Sequence, residues 1–196
     1  VTAIGSVSQA CLTCHDGTQA IDNILNAPGS GGYDATGGGT NGRGWTWTSP
    51  SGNGSINAAG IFQAGEIVNI GTDLRNDHPV SVQYGGGPTG AAGGPTRDTD
   101  FTAVSQIGTQ DRWYIDNPLS GTANTFDKWD FKLYTRTVAP GPDNLFLGTP
   151  EPFVECGSCH DPHLETTTFL RIDPADNPDG TESNAGSAVC LTCHTK

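Results

Sequence analysis

Three Cys-x-x-Cys-His segments constrain this chain more strongly than any other feature of its 196-residue sequence. Together they use all six cysteines, and each second cysteine is followed directly by a histidine. The cysteine pairs are Cys11 and Cys14, Cys156 and Cys159, and Cys190 and Cys193, and the histidines that follow them are His15, His160 and His194. Because the chain has only five histidines, chance does not account for three such placements, and no cysteine is left over for a disulfide.

The spacing of each motif has a chemical reason. Two cysteines three residues apart can form thioethers with the two vinyl groups on one edge of a porphyrin, and the adjacent histidine then reaches the iron from one face. The three motifs therefore predict three covalently bound c-type haems. A structural zinc site would need the CxxC pairs joined in fours, which leaves one of three pairs without a partner. A thioredoxin-like redox motif would not normally occur three times or carry the histidine each time.

The two remaining histidines are predicted to be distal iron ligands, because haem iron in electron-transfer sites is normally capped on both faces. His78 lies in the segment NDHPV, and His163 lies in CHDPH. His163 follows His160 by three residues, and residues so spaced on a helical turn face the same side. We therefore expect His163 to bind the iron of a different haem, which would bring two porphyrins nearly into contact.

The count of axial ligands is one short. The chain contains no methionine, so histidine–methionine coordination within the protein is excluded and bis-histidine haems of low potential are expected. Five histidines cannot fill six axial positions, so one iron must have another sixth ligand or an open face. The sequence leaves several candidates open: the Val1 amine, Lys128, Lys132, Lys196, water, or a ligand from another protein.

Composition limits the class of protein and its partners. Hydrophobic residues make up 34% of the chain, which contains 28 glycines, so the porphyrins are expected to supply buried apolar surface that the polypeptide lacks. The net charge of −12 argues against nucleic acid or an anionic membrane surface as a partner. No segment is long enough to span a bilayer. Since haem is attached to CxxCH outside the cytoplasmic membrane in bacteria, we expect a secreted protein whose signal peptide has been removed, extracellular or at the cell surface, or alternatively periplasmic.

Several segments predict local structure. Serines before the first motif and Gly17 after it favour a short helix over residues 6–17. The glycine-rich stretch 29–60 is typical of a long irregular loop, within which Trp45 and Trp47 alternate with threonines as on a short strand. Residues 101–108, 112–115 and 128–138 are predicted to be strands.

The last of these strands has two chemically different faces. One face is formed by Trp129, Phe131 and Leu133, and the other by Lys128, Lys132 and Arg136. We expect the basic face to be solvated, and the alternative is that it pairs with haem propionates. The predicted fold is thus mostly irregular coil, with short helices at the haem motifs and a few short β-strands around a haem stack. It forms a single domain, 1–196, with a first haem segment at 1–84, a glycine-rich and β-rich segment at 85–150 and a paired CxxCH segment at 151–196.

The C-terminal run from CGSCHDPHLETTTFLRIDP to AVCLTCH resembles the paired CxxCH motif of bacterial multihaem c-type cytochromes, and CLTCHDGT with DLRNDHPVSVQY looks like a companion pattern. The resemblance implies that His78 and His163 are distal haem ligands. It also implies a fold of coil wrapped around a haem stack. Some relatives form extracellular cytochrome filaments, whose subunits usually carry more haems and a full set of histidines.

The expected function is electron transfer, as the subunit of an extracellular electron-conducting filament. Attachment motifs near both ends of the chain favour a homopolymer in which haems of neighbouring copies meet. Other redox proteins or extracellular electron acceptors are the other expected partners. One alternative is a haem enzyme in which an open or weakly ligated iron acts on nitrite, hydroxylamine or peroxide, although the sequence has no recognisable set of catalytic residues. The other alternative is a monomeric periplasmic electron shuttle.

Overall fold

The structure is a computed structural model that describes residues 3–18, 61–66, 68–74, 79–88, 96–109, 111–117, 122–137, 150–166, 169–172 and 187–195. In these ranges three short helices and five short strands are joined by coil and turns. The helices are α1 (Ser6–His15), α2 (Cys156–Cys159) and α3 (Ala188–Cys193), and the strands are β1 (Val82–Gln83), β2 (Ser105–Gln106), β3 (Trp113–Ile115), β4 (Phe131–Thr137) and β5 (Pro150–Val154). Each helix carries one CxxC pair, so the predicted fold class is confirmed. The predicted haem stack stays a prediction.

The chain divides into two compact units. One consists of Val1–Val7 with Pro79–Lys196, and the other of Ser8–His78. The boundary falls inside α1, just after its second residue. The first unit holds the sheet and the two C-terminal motifs, and the second holds the N-terminal motif. The prediction of a single domain stays a prediction.

The five strands form one antiparallel sheet in the order β1-β5-β4-β3-β2. The longest strand, β4, shows why the sheet forms: Phe131 and Leu133 are buried, whereas Lys132 and Tyr134, which alternate with them, are partly exposed. This alternation is expected of a strand with one face on a core. Beside it, every residue of β3 is buried, and Trp113 pairs with Leu133 across the ladder.

The hydrophobic core of the first unit is small. Its buried members are Tyr84, Trp113, Ile115, Phe131, Leu133, Ile172 and Ala188. Partly buried side chains that pack against this core cluster include Phe101, Val104, Cys159 and Cys193. Two of the cysteines predicted to carry haem therefore lie on the same core.

Comparison with the predicted segments shows where the sequence was informative. The predicted strands 112–115 and 128–138 contain β3 and β4, and only Ser105–Gln106 of 101–108 is a strand. Trp129 precedes β4 rather than lying in it. The predicted helix ends at His15 instead of continuing to residue 17, and Gly17 follows it at φ +72°, which a glycine adopts without steric cost.

Strand β5 was not predicted, because prolines at 150 and 152 argue against an interior strand. Pro152 takes part in the sheet through its carbonyl, which accepts the Tyr84 N–H at 2.9 Å. The glycine-rich stretch 29–60 and the tryptophans at 45 and 47 lie outside the described residues. Among the residues that the structure does describe, none forms a helix of the length and hydropathy that a membrane crossing requires.

Candidate haem sites

The motif at 156–160 is attached directly to the sheet. Strand β5 ends at Val154, and Glu155 is the N-cap of α2, with extended φ and ψ of −126° and 170°. The Glu155 N–H donates to the Ser158 hydroxyl at 3.0 Å, an arrangement that satisfies a donor at the start of the helix. The helix lasts one turn and ends before His160.

The motif at 190–194 repeats this geometry. His160 and His194 each follow their helix as an extended residue, with φ and ψ of −109° and 139° for His160 and −107° and 140° for His194. The His160 N–H donates to the Cys156 carbonyl at 3.0 Å, and the His194 N–H donates to the Cys190 carbonyl at 2.9 Å. Each histidine also forms a β-bridge, His160 with Leu170 and His194 with Phe101. The two motifs therefore present their sulfurs and imidazole on the same backbone frame.

Aromatic residues surround the motif at 190–194. The Phe101 ring lies 4.5 Å from the His194 ring, centroid to centroid. The Tyr84 hydroxyl lies 2.8 Å from the Thr102 carbonyl oxygen and 3.1 Å from the Cys193 carbonyl oxygen. Burial raises the pKa of Tyr84, so this hydroxyl remains a neutral donor. The sequence does not assign Tyr84 or Phe101 to this site, since both are about 90 residues or more from Cys193 in the chain.

The motif at 11–15 belongs to the unit formed by residues 8–78, and its histidine is held differently. His15 is the last residue of α1, and its carbonyl accepts the Ile70 N–H at 2.8 Å. Its ring is stacked with Phe62 at 5.5 Å between centroids and 22° between planes. The His15 Nδ1 lies 2.8 Å from the Val68 carbonyl oxygen, so Nδ1 carries the proton and Nε2 keeps the free lone pair. Histidines that bind metal are usually oriented in this way by the second ring nitrogen.

Cys159 and Cys193, the second cysteines of the two C-terminal motifs, pack against the same core cluster. Burial raises the pKa of the Cys159 thiol to about 11, against a smaller lowering by Arg171. Burial also raises the pKa of the Cys193 thiol to about 12, with further contributions from the charges of Cys159 and Cys190. These mutual effects place Cys159, Cys190 and Cys193 in one neighbourhood.

The donor set fits a c-type haem. Among the residues described by the structure, no group of three or more His, Cys, Asp or Glu side chains converges to hold a metal ion. A tetrahedral zinc site would need such convergence of four ligands. A c-type haem instead needs two sulfurs and one imidazole from a single short segment, which each motif supplies. Cys14, Cys190 and His194 are exposed, so these groups can reach a porphyrin that lies against the protein surface.

Of the two predicted distal ligands, the structure describes His163. His78 lies outside the described residues. His163 is exposed, and its N–H donates to Asp161 Oδ1 at 3.0 Å. The expected helical turn from His160 to His163 is not present, because α2 ends at Cys159 and the residue before Pro162 is disfavoured in helical conformation. That His163 binds the iron of a second haem stays a prediction.

Of the candidate sixth ligands and the basic residues of β4, the structure describes Lys128, Lys132 and Arg136. Lys128 Nζ lies 4.7 Å from the Trp129 ring centroid, and Lys132 Nζ lies 5.2 Å from that of Tyr134. Val1 and Lys196 lie outside the described residues. The expectation of a solvated basic face is wrong for Arg136, whose guanidinium forms an ion pair with Glu155.

Arg171 is a buried cation next to the motif at 156–160, and no local pattern in the sequence predicts this position. Its side chain is 9% exposed. Its Nε and Nη2 both donate to the Gly157 carbonyl at 3.3 Å, and its Nη1 donates to the Lys128 carbonyl. The Arg171 guanidinium is 3.4 Å from Asp161 Oδ2. A positive charge is thus fixed against the helix that carries Cys156 and Cys159.

Comparison with known proteins agrees with this geometry. Residues 151–196 match the family model described as the doubled CXXCH motif. No curated protein and no solved structure shows significant similarity to the chain. The matched segment contains α2, α3 and His163, and CXXCH motifs imply covalently bound c-type haem. The match therefore supports a multihaem c-type cytochrome that binds haem for electron transfer.

Proposed function

We propose that this protein transfers electrons through three covalently bound c-type haems, as a subunit of an extracellular electron-conducting filament. The observation that carries the proposal is the position of Cys159 and Cys193, which pack against the same core cluster from two helices of matching geometry. Thioethers at these sulfurs would bring two porphyrins close to one another. Short separation between redox centres is the main structural requirement of an electron carrier.

Each residue set has a distinct task in this function. When bound, each haem supplies an iron that gains or loses one electron. The cysteine pairs fix the porphyrin edges, and the histidines His15, His160 and His194 bind the irons from one face. The Val68 carbonyl holds the His15 ring through Nδ1 and leaves Nε2 to bind iron, which keeps the ligand in place in both oxidation states.

The distal faces are assigned from ligand chemistry. His78 and His163 serve as distal ligands, and bis-histidine coordination gives low-potential, low-spin haems. His163 is exposed at the end of a turn in which the Leu164 N–H donates to the Asp161 carbonyl at 3.0 Å. This exposure leaves its imidazole free to reach an iron other than the one bound by His160. The third iron would have a sixth ligand from outside the histidine set or an open face.

Exposure of the attachment sites supports the polymer. Cys14, Cys190 and His194 lie at the surface of their units, so haems attached there would be poorly shielded and able to meet haems of another copy. A homopolymer of this kind would receive electrons from other redox proteins and pass them to extracellular acceptors. The c-type motifs fit a secreted or periplasmic protein.

Two measurements on the purified protein, with one variant for comparison, test the proposal. Intact mass spectrometry is expected to give the polypeptide plus three haems, and Cys190→Ser/Cys193→Ser is expected to lose one haem mass while the other two remain. A wild-type mass equal to the bare polypeptide would end the haem proposal. Electron microscopy is expected to show long fibres, whereas uniform small particles would replace the filament by a monomeric shuttle.

The ligand count favours a second candidate, a haem enzyme. Five histidines for three irons leave one axial position that a small substrate such as nitrite, hydroxylamine or peroxide could occupy. Addition of carbon monoxide to the reduced protein separates the two functions. An electron carrier with capped irons is expected to show no spectral change, and tight binding at one haem would favour the enzyme.

A further inference from the structure

We propose that Arg171 makes the haem bound at Cys156, Cys159 and His160 the easier to reduce of the two haems on the core cluster, and so directs electrons toward it. This inference rests on the proposed function, because it assumes haems at both C-terminal motifs. It adds a direction of electron flow, which the motifs themselves do not specify.

The positive charge of Arg171 lies next to the motif at 156–160. Arg171 contacts the motif at 156–160 at two points: its N–H donates to the Cys159 carbonyl at 2.8 Å, and its guanidinium donates to the Gly157 carbonyl. Both carbonyls belong to α2, the one-turn helix that carries the two sulfurs. Because the guanidinium is always protonated and is 9% exposed, its charge is fixed and only weakly screened by water.

Two carboxylates, Asp161 and Glu155, lie near the same motif. Asp161 lies 3.4 Å from Arg171, but its side chain is 20% exposed, so water screens it more than it screens the arginine. Glu155 is buried beside Cys156, and Arg136 is paired with it. A direct hydrogen bond from Arg136 Nη2 to Glu155 Oε1 joins that second pair, which is a closer contact than the 3.4 Å between Arg171 and Asp161, so its two charges compensate each other more fully. A net positive field therefore remains on the side of Arg171.

The motif at 190–194, whose cysteines lie on α3, has different neighbours. The contacts described for that motif come from neutral groups: the Tyr84 hydroxyl at the Cys193 carbonyl and the Phe101 ring beside His194. A positive charge favours the reduced iron, whose own charge is one unit lower, and therefore raises the reduction potential. One electron leaves the iron bound by His194, which is oxidised, and enters the iron bound by His160, which is reduced. No bond forms or breaks, and Arg171 keeps its proton.

Two substitutions with opposite expected effects test the inference. Arg171→Gln removes the positive charge and is expected to lower the equilibrium constant for reduction of one haem about tenfold, which for a one-electron couple is about 59 mV. Asp161→Asn removes the negative charge but keeps an acceptor for the His163 N–H, and is expected to shift the same haem in the opposite direction. Arg112→Gln, an exposed arginine at residue 112, is the matched control and is expected to leave all potentials unchanged.

The measurement is a spectroscopic redox titration of the holoprotein at neutral pH, with haem content checked by intact mass. The Arg171 shift is expected to persist when Cys190→Ser/Cys193→Ser removes the other haem, and to vanish when Cys156→Ser/Cys159→Ser removes this one. An Arg171→Gln potential equal to that of the wild type would overturn the inference. Shifts of the same sign in Arg171→Gln and Asp161→Asn would also overturn it, because they would indicate a structural disturbance. A wild-type protein without haem would refute the proposed function itself.

Discussion

Glu155 links the sheet to the first helix of the paired motif, and its substitution gives the sharpest test of how that helix is held. It is 2% exposed. Its Oε2 accepts the Ser81 hydroxyl at 2.7 Å, and its Oε1 accepts from Arg136 Nη2. Arg136 also donates to the Ser81 hydroxyl at 3.1 Å and to the Ala3 carbonyl. The carboxylate therefore joins three separate segments of the chain directly before Cys156.

The expected cost of losing this carboxylate follows from its burial. Removing one partner of a buried ion pair costs about 3–5 kcal/mol, because the other charge is left without compensation. Arg136 is 19% exposed, so water can reach it in part, and the lower end of that range applies. We expect Glu155→Ala to reduce the free energy of unfolding by about 3 kcal/mol. Glu155→Gln keeps an acceptor and the side-chain shape, and is expected to cost about 1.5 kcal/mol.

Urea unfolding of the holoprotein, followed by far-UV circular dichroism, measures these values, with equal haem content verified by intact mass. A double-mutant cycle with Arg136→Ala isolates the pair and is expected to give a coupling of about 2 kcal/mol. Glu165→Ala, at an exposed glutamate, is the control and is expected to change stability by less than about 0.5 kcal/mol. A coupling near zero, or a Glu155→Ala variant as stable as the control, would refute the assignment of this pair.

Three further substitutions test other parts of the unit. Gly157→Ala would bring its Cβ to 2.5 Å from the Tyr134 hydroxyl, so it is expected to cost about 1–3 kcal/mol in a denaturant titration, and Tyr134→Phe should recover part of the loss. The Tyr84→Phe variant loses a buried hydroxyl donor and is expected to be about 1 kcal/mol less stable. Unchanged stability would show that the hydrogen bond from this hydroxyl does not help to hold α3. Burial raises the pKa of Asp130 above 3.8, against the lowering effect of the Asn117 N–H. The stability it contributes is therefore complete below pH 3.8 and is lost as pH rises through the raised pKa. The stability difference between wild type and Asp130→Asn should accordingly shrink over that window, and a constant difference would contradict the assignment.

The chemistry of the candidate sites could be predicted from the sequence because it depends on local spacing. Two cysteines and a histidine within five residues specify a haem attachment segment regardless of the rest of the fold. The helix over the first motif and the strand β4 could be predicted for the same reason, since capping residues and alternation are local signals. Strand β5 could not, because Pro150 and Pro152 lack the N–H that strand residues normally donate, and the hydrogen bond from Tyr84 to the Pro152 carbonyl is a tertiary contact.

The buried charges show a second limit of sequence reasoning. Glu151 and Glu155 would be placed at the surface on composition alone, yet they are 1% and 2% exposed. Their partners, Arg97 and Arg136, are 54 and 19 residues away in the chain. No local sequence pattern predicts an ion pair between residues so far apart in the chain. The basic face of β4 was interpreted as solvated for this reason, since the partner of Arg136 becomes evident only once β5 lies beside β4.

The anchoring of the two C-terminal motifs argues that the sheet sets the distance between their haems. The motif at 156–160 continues directly from β5, an interior strand of the sheet. The motif at 190–194 is tied to the segment before β2, because the Thr102 N–H donates to the Cys193 carbonyl at 2.9 Å and the Thr195 N–H donates to the Asp100 carbonyl at 3.0 Å. Tyr84 joins the two attachments, because its N–H donates to the Pro152 carbonyl of β5 and its hydroxyl donates to the Cys193 carbonyl. Since both motifs are hydrogen-bonded to one sheet, the proposed haems would keep a fixed separation, which a carrier needs for a constant rate of electron transfer.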